Sequence, residues 1–275
     1  MKISAKSIIK EIVPPFLMGL YYVMRRKISY AGPYESWSDA VKNSTGYGVE
    51  EILEKVKAAT AKVRDGKAAY ERDSVIFDRI EYPYPLLSGL LASALSSEGK
   101  LFVVDFGGSL GTTYFQNRKF LSDLKYLKWN VIEQPHFVRC GREEFETDTL
   151  KFFNSIDDCL KGSAGFKPTF LLSSVLHYIE DPYGFIEDIT NRSGEFIIID
   201  RTIFSEKYAD SIYVQHVPKQ IFNASYPCRF LSIKKVKDIL DRSYELLSEF
   251  DGFENTPYDN GMDFKGLIYR RKGGI

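Results

Sequence analysis

Apolar runs that stop at an acidic or small polar residue recur through the middle of the chain. Leu101 to Val104 runs into Asp105, Leu127 to Ile132 into Glu133, Thr169 to Leu172 into Ser173 and Ser174, and Phe196 to Ile199 into Asp200 and Arg201. Such runs, rich in β-branched and aromatic residues, predict strands covered on both faces, as in a parallel sheet. Segments of helical spacing separate them: Tyr114, Phe115 and Leu121 behind a Thr112 cap, a segment starting at Asp181-Pro182, and Ile233, Val236, Ile239 and Leu240 behind Ser232. A further strand is expected to end near Ile156-Asp157, and two more, Tyr244 to Phe250 and Lys265 to Arg271, close the chain. This alternation predicts a doubly wound α/β sheet. Ahead of it, Ile52, Val56, Ala59 and Val63 predict an amphipathic helix, Glu71 to Ser74 opens a short element, and a leucine-rich helix from Leu86 to Ser97 ends at Gly99.

The turn after the Leu101 run carries the candidate chemistry. Gly107, Gly108 and Gly111 follow Asp105 within LFVVDFGGSLG. Glycines let the main chain approach a ligand, and the helix behind them supplies unpaired N–H groups. Open α/β sheets hold small molecules beyond the carboxyl ends of their strands. A dinucleotide fingerprint set on Gly108 and Gly111 requires glycine where Phe106 stands, so that register fails. Read as acidic-x-Gly-x-x-x-Gly, the residues Asp105, Gly107 and Gly111 resemble motif I of the Rossmann-like methyltransferases that use S-adenosylmethionine (SAM), with Ser109 in place of the usual middle glycine and Gly108 as an additional one. Glu133, at the end of the next run, is the acid expected to hold a ribose diol, since a carboxylate accepts from two vicinal hydroxyls at once.

Composition narrows the class. The 275 residues, 44% of them hydrophobic, suffice for one large α/β domain with an appendage, or two domains at most. Lys+Arg 37 against Asp+Glu 37 argues against a nucleic-acid protein that relies on a broad basic field. Cys140, Cys159 and Cys228 have no metal or redox spacing and read as buried thiols of a reduced, cytoplasmic protein. Lys2, Lys6 and Lys10 precede an apolar stretch from Ile12 to Met24, and Arg25, Arg26 and Lys27 follow it. That stretch is shorter than the ~20 residues of a spanning helix. Its cationic flanks fit an interfacial anchor at the inner membrane face, while docking on the protein's own core or on a homodimer partner is the alternative.

Together the blocks GPYESWSDA, STGYG, ERDSVIFD, VDFGGSLGTTYFQ, VIEQPHFV, LLSSVLHYIEDP, IIIDRTIF, VQHVP and YPCRFLS are similar to a family of predicted SAM-dependent methyltransferases found among bacterial surface-polysaccharide genes. The resemblance covers nearly the whole chain. It implies a Rossmann-like, seven-stranded methyltransferase sheet with helices on both faces over residues 99–275, a helical extension over 31–98, and the basic, apolar segment over 1–30. It also implies S-adenosyl-L-methionine as cofactor and, as methyl acceptor, an oxygen of a sugar or nucleotide-sugar in surface-glycan assembly.

The candidate cofactor residues are Asp105, Gly107, Gly108, Ser109, Gly111, Glu133 and Gln134, with Asp157 reaching toward the adenine amino group and Ser173 and Ser174 lining the pocket. Methyl transfer to a hydroxyl calls for a base, and histidine suits neutral pH. His177, just after the fourth strand, is the first candidate, with a structural role open beside it; His216 in VQHVP is the second, and His136 is expected to border the adenosine pocket. Asp200 can accept a proton or a sugar hydroxyl, and Arg201 can bind a phosphate or carboxylate bidentately. No metal-ligand spacing such as H-x-x-x-H occurs. Two other readings stay open: a non-catalytic SAM- or S-adenosylhomocysteine (SAH)-binding regulatory or scaffold protein, and a nicotinamide-dependent sugar-modifying enzyme. Phe106 and the lack of a Y-x-x-x-K pair oppose the second.

Overall fold

The computed structural model describes residues 28–46, 49–163, 165–217, 224–252 and 262–273. The anchor expected over 1–30 lies, up to residue 27, outside the described residues. No helix among the described residues is long and apolar enough to cross a membrane.

The extension opens with a strand, β1 (Ser29–Tyr34), followed by α1 (Trp37–Lys42) and α2 (Val49–Arg64). The short element expected at Glu71 is a hairpin of β2 (Tyr70–Arg72) and β3 (Val75–Phe77), turned by Asp73 and Ser74 at φ 50° and 65°. Helix α3 (Tyr84–Ser96) ends as predicted: Gly99 takes φ 85° and donates its N–H to the Ala94 carbonyl at 2.7 Å.

The alternating part then runs β4 (Lys100–Phe106), α4 (Thr112–Leu121), β5 (Tyr126–Ile132), α5 (Pro135–Glu144), β6 (Leu150–Phe153), α6 (Ile156–Lys161) and β7 (Thr169–Ser173). A 3-10 turn (Leu176–Tyr178), α7 (Pro182–Asn191), β8 (Phe196–Ser205), β9 (Ser211–His216), β10 (Ser225–Ser232), α8 (Ile233–Leu240), β11 (Tyr244–Asp251) and β12 (Met262–Arg271) complete it.

The order β6-β5-β4-β7-β8-β12-β11, parallel except for β12, is the predicted Rossmann-like sheet with its terminal antiparallel pair. Three more strands extend it: β10 runs parallel to the end of β8, β9 pairs antiparallel with β10, and β1 pairs antiparallel with β9. The sequence pattern predicts a helical extension where β1 stands and a loop at VQHVP, where β9 ends. Gly32 and Pro33 break the apolar pattern of β1, and its partner lies far along the chain, so no local signal marks the pairing. The third parallel strand ends at Phe153, earlier than predicted. Ser155 stops it by accepting the Asp158 N–H at 3.1 Å, which makes Ile156 and Asp157 the first turn of α6.

Alternate residues of each central strand feed two cores. Val103, Trp129, Phe152 and Ile198 meet Leu86 and Leu90 of α3 on one face. Val104, Phe170 and Ile197 meet Ile186 of α7 and Val236 of α8 on the other. Burying one such side chain stabilises the fold by roughly 1.5–3 kcal/mol. Strand β8 slips phase partway: Ile199 faces Leu267 of β12 and the next pair is Thr202 with Lys265, so Asp200 and Arg201 together oppose Gly266. Beyond this bulge Phe204 joins the same core as Ile197 and Ile199, where strict alternation would turn it away.

Gly141 seats α5 on β6, since a Cβ there would stand 2.4 Å from Phe152 Cδ1. Gly141→Ala is expected to destabilise the fold by about 1–3 kcal/mol through overpacking. A lowered urea midpoint at constant m-value would show this, and an unchanged midpoint would mean that the α5–β6 seam gives way freely.

Candidate functional site

Asp105 ends the buried part of β4 and is 1% exposed; its carboxylate accepts the Trp129 indole N–H at 2.8 Å. The following turn folds over this carboxyl. A Cβ at Gly108 would lie 2.4 Å from Asp105 Oδ2, and one at Gly107, which has φ 74°, would lie 2.7 Å from Val175 Cγ2. These two positions have no room for a side chain. Gly111 occupies the N-cap of α4; the Thr112 hydroxyl, expected there, instead donates to the Glu71 carboxylate of the hairpin. The Ser109 N–H donates to Glu133 Oε1 at 3.3 Å and the Gln134 N–H to Oε2 at 2.8 Å, so the turn and the acid at the end of β5 form one hydrogen-bonded unit.

Burial pushes the Asp105 carboxyl up to about 7; the Trp129 bond opposes this, and the charge of Glu133 adds to it. Burial also raises Glu133 against its two backbone donors. Glu71, 2% exposed, accepts from Thr112, from Thr60 at 3.3 Å and from the Ser74 N–H at 3.3 Å, yet burial pushes it up to about 7 as well.

A cavity of about 830 Å³ opens beyond the carboxyl ends of β4, β5 and β7. Asp105 to Ser109, Glu133 to Phe137 and Asn154 line one half, at the ends of β4, β5 and β6; Ser173 to Val175, Tyr178, Arg201, Gln215 and Tyr226 line the other, on the side of β7 to β10; Arg72 and Asp73 of the hairpin line it as well. Asp73, Ser109, Ser174 and Arg201 on this wall are non-glycine residues with φ of 48–56°. Strain of this kind persists only where the surroundings fix it, and it gathers at functional sites. Across the second half the Tyr178 hydroxyl donates to Gln215 Oε1 at 3.0 Å and Gln215 Nε2 donates to the Tyr226 hydroxyl at 3.3 Å.

The structure thus gathers Asp105, Gly107, Gly108, Ser109, Glu133, Gln134, Ser173, Ser174 and His136 around one cavity, with Gly111 just behind the turn against Leu150. Asp157 is not there. Its side chain is 73% exposed and bonded to Arg192 at 2.5 Å, because it belongs to α6, and Asn154 stands at the wall instead. The three proposed acid–base residues also lie off the wall. His177 is fully buried behind Tyr178, whose ring is 4.0 Å away, and neither of its ring nitrogens has a hydrogen-bond partner. Burial, with the Arg201 charge adding, pushes it down to about 3, so it is neutral and closed off from the cavity. His216 is exposed at the end of β9, paired with Ser29 and Ser225. Asp200, 4% exposed, accepts from the Ser173 hydroxyl at 3.0 Å and lies 3.5 Å from Arg201 Nε.

Sequence reasoning missed Arg72, Asn154, Tyr178, Gln215 and Tyr226 at the wall. The Asp73-Ser74 turn was the available signal for the hairpin, while Gln215 and Tyr226 depend on strand pairing. Cys140, Cys159 and Cys228 are free and buried, and burial pushes the Cys159 thiol up to about 12. Among the described residues no three His, Cys, Asp or Glu side chains group as a metal-ion site.

No protein-family model matches the chain, and no curated protein matches it in sequence. Among solved structures it is similar to the N-terminal domain of EvdMO1 crystallised in the presence of SAH and D-fucose, at 13% identity and a TM-score of 0.48 over 82% of this chain and 97% of that one. It is also similar to an S-adenosylmethionine-dependent methyltransferase from Clostridium acetobutylicum (10% identity, TM-score 0.45, 80% and 99% covered). A third is CalS10, an amino pentose methyltransferase from Micromonospora echinaspora (8%, 0.44, 79% and 97%).

Asp105 and Glu71 hold their protons more tightly folded than unfolded. Below the ordinary carboxylate range both states are protonated and neither group affects stability. As pH rises the unfolded chain ionises first, so stability falls until pH passes about 7 and then levels. Asp105→Asn and Glu71→Gln are each expected to flatten that fall by an amount on the order of 1–3 kcal/mol. Urea midpoints at pH 5 and pH 8 measure it, and a variant whose fall matches that of the wild type refutes the assignment for its residue.

Proposed function

We propose that the chain is a SAM-dependent methyltransferase. The observation that carries this reading is the single unit made by the Asp105–Ser109 turn and Glu133 at the carboxyl ends of β4 and β5. Its glycines leave bare backbone at the cavity and its carboxylate faces the position of a ribose diol. These residues fit the cofactor: Glu133 would accept from the ribose hydroxyls, the turn would pass close to the amino-acid portion, and Gln134, His136 and Asn154 would border the base. When bound, SAM supplies a methyl group on a sulfonium centre. The protein's own part is to hold an acceptor in line beside that centre, which the Tyr178-Gln215-Tyr226 chain and the opposite wall are built to do.

The finer reading is methylation of a hydroxyl on a sugar or nucleotide-sugar in surface-glycan assembly, supported by the sequence blocks and by the polar second wall. We place the protein in the cytoplasm, with the basic, apolar residues 1–30 as its contact with the membrane face or with a second copy. One observation favours a binding module without turnover instead: His177, His216 and Asp200 all lie off the wall. Calorimetric titration with SAM, SAH and NAD separates the classes. We expect micromolar SAH binding that weakens at least tenfold in Glu133→Ala. Heat from NAD alone would overturn the reading, and SAH binding without methyl transfer from labelled SAM to any glycan precursor would favour the module.

A further inference from the structure

The β2–β3 hairpin turns through Asp73 and Ser74, between the paired Arg72 and Val75. Both turn residues have positive φ, 50° and 65°, the backbone that two-residue hairpin loops prefer and that Asp, Asn and Gly fill most readily. One carboxylate fastens this turn to the glycine turn. Glu71 Oε2 accepts the Ser74 N–H at 3.3 Å, and Oε1 accepts the hydroxyl of Thr112, the residue after Gly111. Asp73 immediately precedes Ser74, and its charge adds to the burial that pushes the Glu71 carboxyl up. With β2 packed against α4, Asp73 stands beside the start of that helix and lines the cavity together with Ser109, Thr112 and Thr113.

The carboxylates that line the cavity differ in what already holds them. Asp105 accepts from Trp129 beneath the glycine turn, and Glu133 accepts the Ser109 and Gln134 N–H groups. Asp73 is exposed, and among the described residues its carboxylate makes no hydrogen bond or ion pair. We propose that Asp73 holds the α-ammonium of the cofactor's amino-acid end, which makes a hairpin of the N-terminal extension part of the cofactor site and sets its preference for a ligand that carries the amine. This rests on the methyltransferase reading, which lays the amino-acid end along the turn from Gly107 to Gly111, the turn to which Glu71 ties the hairpin. A hydrogen bond from an ammonium to a carboxylate is roughly twice as strong as a neutral one, and here the ligand supplies the donor that the protein leaves out.

Titration calorimetry on the purified full chain tests this with three ligands: SAH, the SAH analogue with hydrogen in place of the α-amino group, and methylthioadenosine, which lacks the amino-acid end altogether. Wild type is expected to bind SAH about tenfold more tightly than the deamino analogue, the size of one charge-assisted hydrogen bond. Asp73→Asn should weaken SAH about tenfold and leave the other two ligands within about twofold of wild type, since both changes remove the same interaction and their effects do not add. Asparagine suits the turn, and Asp73→Gly, which suits it as well, should repeat the loss. Asp78→Asn, at an exposed carboxylate just past β3 and outside the cavity lining, should leave all three affinities unchanged. Equal wild-type affinity for SAH and its deamino analogue overturns the assignment, as do equal losses for all three ligands in Asp73→Asn. Unchanged SAH binding in Asp73→Asn overturns it too, and loss of methyl transfer from labelled SAM in that variant would then give Asp73 to the acceptor. In each of these outcomes SAH still binds wild type and the methyltransferase reading stands. Wild type that binds neither SAH nor methylthioadenosine overturns that reading, and the assignment with it.

Discussion

The Asp105 carboxyl sits beneath the turn that it begins, and the geometry of this half of the cavity depends on how it is held there. Trp129 donates to it from the neighbouring strand, which ties β4 to β5 at the level where both end. The space above the carboxyl is so short that residue 108 must lack a side chain, and the chain therefore passes over it as bare backbone. With the turn fixed, the Ser109 N–H is carried to Glu133, and the carboxylate on β5 is oriented by the loop rather than by solvent. An acid that is expensive to ionise thus sets the position of the acid next to it.

The same turn is braced from outside the sheet. Glu71 accepts from Thr112, the first residue of α4, and from Thr60 of α2, so the hairpin and the extension helix close on the helix that starts at the glycine turn. Thr45 and Ser225 exchange bonds, each backbone N–H donating to the other's hydroxyl at 3.0 and 2.9 Å, and β1 pairs with β9. Residues before position 99 therefore wall the cavity together with the β9–β10 insertion. The extension thus contributes Arg72 and Asp73 of the hairpin to the lining of the cavity.

What was legible in the sequence depends on where stabilisation is local. The strands whose apolar runs lead to Asp105, Glu133, Ser173 and Asp200 could be read because both of their faces are buried, although the last continues past Asp200 to Ser205, and the turn could be read because sterics leave glycine few substitutes. Strand β1 could not, since its partner β9 lies about 180 residues along the chain (Ser29 with His216, Tyr34 with Ile212), and β9 and β10, though neighbours in sequence, carry a mixed side-chain pattern. The histidines show a different limit. A position just past a strand's carboxyl end places His177 at the correct edge of the sheet, yet the 3-10 turn brings Tyr178 to the cavity and turns the imidazole behind it, a choice made by one residue of phase. Asp157 failed for a similar reason: the Ser155 cap starts a helix, and the side chain swings out to Arg192.

The bulge in β8 is the place where that phase works in the other direction. Up to Ile199 the strand serves only the cores, and after the slip Phe204 rejoins the core of Ile197 and Ile199. The two residues taken up by the slip separate in function as well as direction. Asp200 folds back to receive the Ser173 hydroxyl and lies against Arg201, which leaves its carboxylate compensated without opening it to the cavity, while Arg201 stands at the wall. A regular strand would bury one of these two charges in a core, at a cost no neighbouring group there would offset. The irregularity is therefore what allows a charged pair to sit within an otherwise apolar strand, with its anion turned inward and its cation at the cavity wall.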